Sequence, residues 1–235
     1  MTNLGTLYGL GVGPGDPELI TVKAFRVIQE SPVIAYPRKR KGSKSYAHRI
    51  AEVYIRPEEK EMLGLVFPMT KDQAILEREW NAAVEKVWEK LREGKNVAFV
   101  TEGDPLLYST FIHMMKLMRE LHPEVDIKTV PGISSFNGSA SRLGIALADG
   151  DDHVAIVPAR DDYEAMKKAI VEHDAVVFIK VAKVIDLMIA VLKDLDLLHK
   201  ASVVTKVTSD EEVIWNMSEL EGAELEYLTL MVVRK

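Results

Sequence analysis

Glycine clusters at three places in this chain, each time beside a carboxylate or a pair of hydroxyls. The first cluster is Gly9-Leu10-Gly11-Val12-Gly13-Pro14-Gly15-Asp16-Pro17. The second is Thr101-Glu102-Gly103-Asp104-Pro105-Leu106-Leu107-Tyr108-Ser109-Thr110, and the third Val130-Pro131-Gly132-Ile133-Ser134-Ser135-Phe136. Glycine lets bare backbone approach a ligand closely. A neighbouring carboxylate adds an acceptor for a hydroxyl, an amine or a proton. The first loop does not have dinucleotide spacing: counted from Gly11 the third glycine position is Asp16, and counted from Gly9 it is Pro14. Asp16 would also set a negative charge against a pyrophosphate. No Gly-Lys-Ser/Thr follows, so the loop is not a Walker A motif either. Each cluster has a plainer reading as a strand-to-helix turn. Asp104 then serves as a helix N-cap with Pro105 at N1, and Ser134 and Ser135 cap the next helix.

Composition removes other chemistries. The 235 residues include no cysteine, which excludes disulfides, thiolate metal sites and cysteine nucleophiles. The histidines His48, His113, His122, His153, His173 and His199 fall at no metal-ligand spacing, so no protein-bound metal is expected. Acidic residues outnumber basic ones 36 to 30, a net charge of -6, which speaks against nucleic acid as a partner. The densest charge run is Arg38-Lys39-Arg40-Lys41 with Lys44 behind it. It reads either as a solvated loop or as a grip on an anionic ligand, where arginine holds carboxylates in pairs of hydrogen bonds. No apolar run nears the ~20 residues that span a bilayer. Met1–Tyr8 has no basic leader. A cytoplasmic protein without a membrane partner is expected.

The elements that must hold these loops alternate in type. Strand-length apolar runs at Leu4–Val12, Val33–Tyr36, Asn96–Thr101, Val125–Val130, His153–Val157 and Ala175–Lys180 are separated by helical patterns. The helical patterns cover Leu19–Glu30, Ser45–Val53, Thr70–Glu93, Leu106–Leu121, Ser134–Leu143, Tyr163–Glu172 and Val184–Leu195. This is the signature of an α/β fold. Thr70 and Gln73 suggest a capping box for the longest helix, and Trp80, Val84, Val87, Trp88 and Leu91 share one of its faces. Residues 122–124 read as a link between two α/β domains, 1–121 and 125–235. The end of the chain has strand patterns without helices between them, at Ser202–Thr208, Glu212–Met217 and Glu226–Val233, so the second sheet is expected to be mixed.

The order and spacing of the three loops resemble the tetrapyrrole methyltransferases, from Leu4 to Val233. Pro32–Pro37, Ser45 with Arg49-Ile50-Ala51, Phe67-Pro68-Met69-Thr70 and Trp80 look like the branch acting at C-20 of precorrin-2 or cobalt-factor II. The resemblance implies two α/β domains with a ligand cleft between them and S-adenosylmethionine as methyl donor. It implies Gly103, Asp104, Leu107, Ser134 and Ser135 at the methionine part of that donor, and Ile179, Lys180, Val207 and Thr229 on its adenosine side. Pro14, Gly15, Asp16 and Tyr108 would face the tetrapyrrole, with Arg38 and Arg40 drawing its carboxylates. Asp16, Tyr108 or water would take the released proton, and any cobalt would arrive inside the substrate. A homodimer is implied as well, with Trp80 and Trp88 offering apolar surface. The chain departs from the family pattern at Glu102, where leucine or glycine is more usual, and at Ile179-Lys180-Val181, where the pattern has methionine-glycine. The alternatives are a tetrapyrrole methyltransferase of other regiochemistry and a non-catalytic module that binds nucleotides or anions.

Overall fold

The computed structural model describes residues 4–70 and 72–235 and divides into two compact units, 1–134 and 135–235. Met1, Thr2 and Asn3 of the expected N-terminal reading, and Lys71 of the expected long helix, lie outside the described residues.

The first unit holds β1 (Leu7–Gly11), α1 (Val22–Glu30), β2 (Val33–Arg38), α2 (Tyr46–Ala51), β3 (Glu61–Val66), α3 (Gln73–Arg92), β4 (Val97–Thr101), α4 (Phe111–Leu121) and β5 (Ile127–Val130). Its strands form one parallel sheet in the order β3-β2-β4-β1-β5. β4 is buried at every position, as a parallel strand covered on both faces must be. Val97 and Phe99 face a layer built with Val87 and Leu91 of α3 and Phe111 and Met114 of α4. Ala98 and Val100 face the opposite layer, with Val27 and Ile28 of α1 and Ile50 of α2.

Several expectations change here. Asp72, not Thr70, caps α3: its carboxylate accepts the Ala74 amide at 3.0 Å and the Ile75 amide at 3.2 Å. Thr70 instead accepts the Asp72 amide through its hydroxyl. Trp80 and Trp88 are not open apolar surface. They pack on the core and stack on His113 and His122 with ring centroids 4.3 and 4.1 Å apart. α4 starts at Phe111 instead of Leu106, because Asp104 folds back on the Leu106 amide and Tyr108 takes a left-handed backbone at φ 52°. β3 has no counterpart in the sequence reading. Its centre is Gly64, where a Cβ would overlap the Arg38 guanidinium. The strand at Ile127–Val130 pairs with β1, so it completes the first sheet and the units divide at Ser134, later than residues 122–124.

The second unit continues with α5 (Ser135–Leu143), β6 (Val154–Pro158), α6 (Tyr163–Glu172), β7 (Ala175–Ile179), α7 (Ile185–Asp194), β8 (Ala201–Thr205), β9 (Val213–Trp215) and β10 (Thr229–Arg234). The strand order is β6-β7-β10-β8-β9. Only β6 and β7 are parallel, so the sheet is mixed as expected. One face packs Phe178, Val203 and Met231 against Met166 and Met188. The other packs Val177, Val204 and Val232 against Phe136 and Leu143.

Candidate functional site

In the first sheet β4 and β1 lie side by side, yet the chain leaves them in opposite directions. From β1 it runs toward β2, and from β4 toward β5 on the far side. Such a reversal opens a crevice at the carboxyl ends of the strands, where open α/β sheets bind ligands. The loops after β1, β4 and β5 carry the three glycine clusters, and they meet at this edge.

Backbone contact between these loops is tight. The Val12 amide donates to the Thr101 carbonyl at 3.0 Å, and the Gly103 amide to the Gly13 carbonyl at 2.8 Å. A Cβ on Gly11 would stand 2.5 Å from the Gly103 oxygen and 2.6 Å from Gly132 Cα, and a Cβ on Gly132 would overlap the Gly103 oxygen. Side chains are therefore excluded at both positions. Gly103 itself needs glycine for a different reason, its φ of 62°.

Asp104 ties two of the loops together. One of its oxygens accepts the Leu106 amide at 2.8 Å and the other accepts the Gly132 amide at 3.1 Å. It is thus a brace between loops and not the helix N-cap of the plainer reading. Beyond it Leu106, Leu107 and Tyr108 are exposed. Thr101 and Ser109 pair their buried hydroxyls at 2.9 Å, which returns the loop to the start of α4. Asp16 accepts the Glu18 amide at 2.8 Å and begins a short 3-10 turn, while Pro14 and Gly15 are buried. Ser134, also buried, ends the first unit.

The basic run separates into different environments. Arg38 ends β2 with its guanidinium over Gly64, donating to the Tyr36 hydroxyl at 3.2 Å. Its Nε is buried without a hydrogen-bond partner. Tyr36 also stacks on His48, whose pKa is held below the usual value mainly by burial, with Arg38 adding to the effect and Glu52 opposing it. Arg40 and Lys41 are exposed, and Arg40 forms a turn with Ser43. Lys39 acts electrostatically on Glu102.

The sequence reading recorded Glu102 only as a departure from pattern. The side chain is half-buried, and burial pushes its carboxyl above the usual range while the Lys39 ammonium pulls it back. The available signal was an acid placed one residue after the apolar run Val97–Val100.

In the second unit, Ile179, Lys180, Val207 and Thr229 gather at one end of the sheet. Ile179 pairs with Leu230 and Thr229 with Thr205, so the ends of β7 and β8 meet the start of β10 there. Lys180 has a left-handed φ of 59°. The Thr205 and Thr229 hydroxyls are 2.8 Å apart, and the Trp215 indole donates to Thr205 at 2.8 Å. Ser135 opens α5. Among the described residues no cluster of acids and histidines could hold a metal ion.

Residues 6–221 match the family described as tetrapyrrole (corrin/porphyrin) methylases. A Methanocaldococcus jannaschii protein named probable cobalt-precorrin-2 C(20)-methyltransferase is 38% identical over 97% of this chain and 96% of its own length. The Salmonella typhimurium cobalt-precorrin-2 C(20)-methyltransferase is 33% identical over 98% of this chain and 97% of its own. The solved structure of Thermus thermophilus uroporphyrin-III C-methyltransferase complexed with S-adenyl homocysteine shares the fold, with a TM-score of 0.68 at 20% identity over 98% of this chain and 92% of that one.

Proposed function

The chain belongs to the tetrapyrrole (corrin/porphyrin) methylases, and from that premise we propose that it methylates C-20 of precorrin-2 or of its cobalt form in cobalamin synthesis, with S-adenosylmethionine as donor. The observation that carries this reading is the meeting of three glycine loops at the reversal point of the first sheet, braced by Asp104. Support for C-20 as the position comes from two relatives of matching length that are named for it. Their names also favour the cobalt-bearing form of the substrate.

The donor set suits the proposed methyl donor. An amino-acid carboxylate accepts from amides and an ammonium donates to an acid or a carbonyl, and the loop that precedes α4 offers backbone groups and Asp104 for both. When bound, the donor supplies a methyl on a sulfonium, which an electron-rich meso carbon can displace without a protein nucleophile. The protein's part is then to bind, orient and keep water away, and orientation alone can supply ~7–11 kcal/mol. In this reading Gly103, Asp104, Leu107, Ser134 and Ser135 hold the methionine part, and Ile179, Lys180, Val207 and Thr229 the adenosine side. Leu106 and Tyr108 offer an exposed apolar surface to the macrocycle. Arg38, with a buried nitrogen still without an acceptor, meets one of its carboxylates. The cytoplasm is the proposed compartment. Among the described residues no helix is long and apolar enough to cross a membrane.

The test is to incubate the protein with S-adenosylmethionine and either precorrin-2 or its cobalt form, and to locate the new methyl by product NMR. A methyl at C-20 is expected. A methyl at another carbon would replace the reading with a different regiochemistry. No product, together with no calorimetric binding of S-adenosylhomocysteine, would leave a non-catalytic module.

A further inference from the structure

Of the carboxylates in the loops after β1 and β4, Asp16, Glu102 and Asp104 are used differently. Asp16 accepts the Glu18 amide, and Asp104 accepts the amides of Leu106 and Gly132. Both hold backbone amides, Asp16 within its own loop and Asp104 also across to the loop after β5. Glu102 makes no hydrogen bond or ion pair among the described residues. It follows directly on buried Thr101 and precedes Gly103, so it stands at the carboxyl edge of the central strand, at the reversal point.

An unpartnered, half-buried acid is unfavourable for folding. It is also unfavourable for drawing in a polycarboxylate, which it would repel. The arrangement is useful only if positive charge appears next to it during the reaction. Methyl transfer from a sulfonium to a neutral macrocycle does create such a charge.

Resting on the C-20 reading above, we propose that Glu102 is the base that removes the C-20 proton after methyl transfer. The C-20 carbon supplies the electron pair of the new carbon–carbon bond, and sulfur keeps the pair of the carbon–sulfur bond that breaks. The macrocycle then carries one positive charge. Glu102 takes the C-20 proton, the pair of that carbon–hydrogen bond returns to the ring, and the acid so formed gives its proton to water. Burial raises the proton affinity of Glu102, as a base requires, and Lys39, from the segment after β2, is the charged group that acts against that effect. Asp104, two residues along the same loop, has both oxygens occupied by amides.

The test compares wild type with Glu102→Gln and Glu102→Asp. A positioned base contributes ~10²–10⁴-fold to rate. Glu102→Gln is therefore expected to lower kcat at least ~100-fold, while tetrapyrrole KM and calorimetric affinity for S-adenosylhomocysteine hold within a few-fold. Glu102→Asp should recover part of kcat, and the acid limb of the kcat–pH profile should be missing from the Gln variant. A readout without turnover is melting temperature against pH. Above the ordinary glutamate range the unfolded chain releases this proton more readily than the folded one, so wild type loses stability there as pH rises and Glu102→Gln does not. A Gln variant with near-normal kcat, or with an unchanged acid limb, would overturn the proposal while leaving C-20 methylation intact. Failure of the wild-type protein to methylate C-20 would instead remove the reading on which it rests.

Discussion

Arg38 shows how a charge run divides once it is folded. Its guanidinium lies over Gly64 and against Tyr36, with Nε buried and no acceptor in reach, whereas Arg40 stands in solvent. Charge-assisted hydrogen bonds contribute about 1.5–3 kcal/mol, and 1.4 kcal/mol is tenfold in affinity. Arg38→Ala is therefore expected to raise the tetrapyrrole KM ~10-fold or more, with Arg40→Ala changing it less than about twofold. Steady-state kinetics at low and high salt check this, and the wild-type KM should rise more steeply with ionic strength than that of Arg38→Ala. Asp104 is the other test at this scale. Asp104→Ala removes the acceptor of two loop amides, so it should cost about 1.5–3 kcal/mol of stability and also weaken S-adenosylhomocysteine binding several-fold. Calorimetry and melting on one sample separate this from a plain N-cap, which would leave ligand affinity unchanged. Sequence picked out Asp104, but its plainer reading as the N-cap of α4 does not hold, because nothing local marks where α4 begins. Glu102 stayed hidden because its surroundings come from a different strand, with Lys39 arriving from the end of β2.

At the scale of elements, the alternation of strands and helices was readable because β4 and β7 are apolar runs bounded by turn residues, as buried strands are. β3 was not readable. Its burial is incomplete, and its glycine makes room for an arginine that sequence cannot place there. The helices also carry a pH response. His48 of α2 and His113 of α4 are both held below the ordinary value of 6.5, chiefly by burial, with Lys116 adding to the effect at His113. Between that value and their lowered ones the unfolded chain binds more protons than the folded chain, so stability should fall as pH drops from about 6.5. Thermal melts from pH 8 to pH 5 measure this. His113→Phe, which keeps a ring against Trp80, should flatten part of the slope.

For the whole molecule, the two-unit organisation was legible but its boundary was not, since the parallel pairing of β5 with β1 joins residues far apart in sequence. The homodimer implied by the family resemblance loses one supporting argument, because Trp80 and Trp88 are packed and stacked. Exposed Val22, Phe25 and Val53 offer apolar surface that the sequence reading did not single out. Sedimentation at micromolar concentration is expected to show two chains together, and a single-chain mass alone would remove the dimer. Strand order also matters while the chain is being made. Among the described residues β1 pairs only with β4 and β5, and β4 is the strand that must slot between β1 and β2. At ~5–20 residues per second, a ribosome needs roughly 4.5–18 s after β1 to deliver β4, the first strand that pairs with it. Through that interval the first strand made has no neighbour, and its edge is open to whatever else is nearby. Nascent chains arrested before residue 97 should therefore be cut readily by protease across β1 and held by chaperones, and those extending well past residue 134 should become resistant in one step.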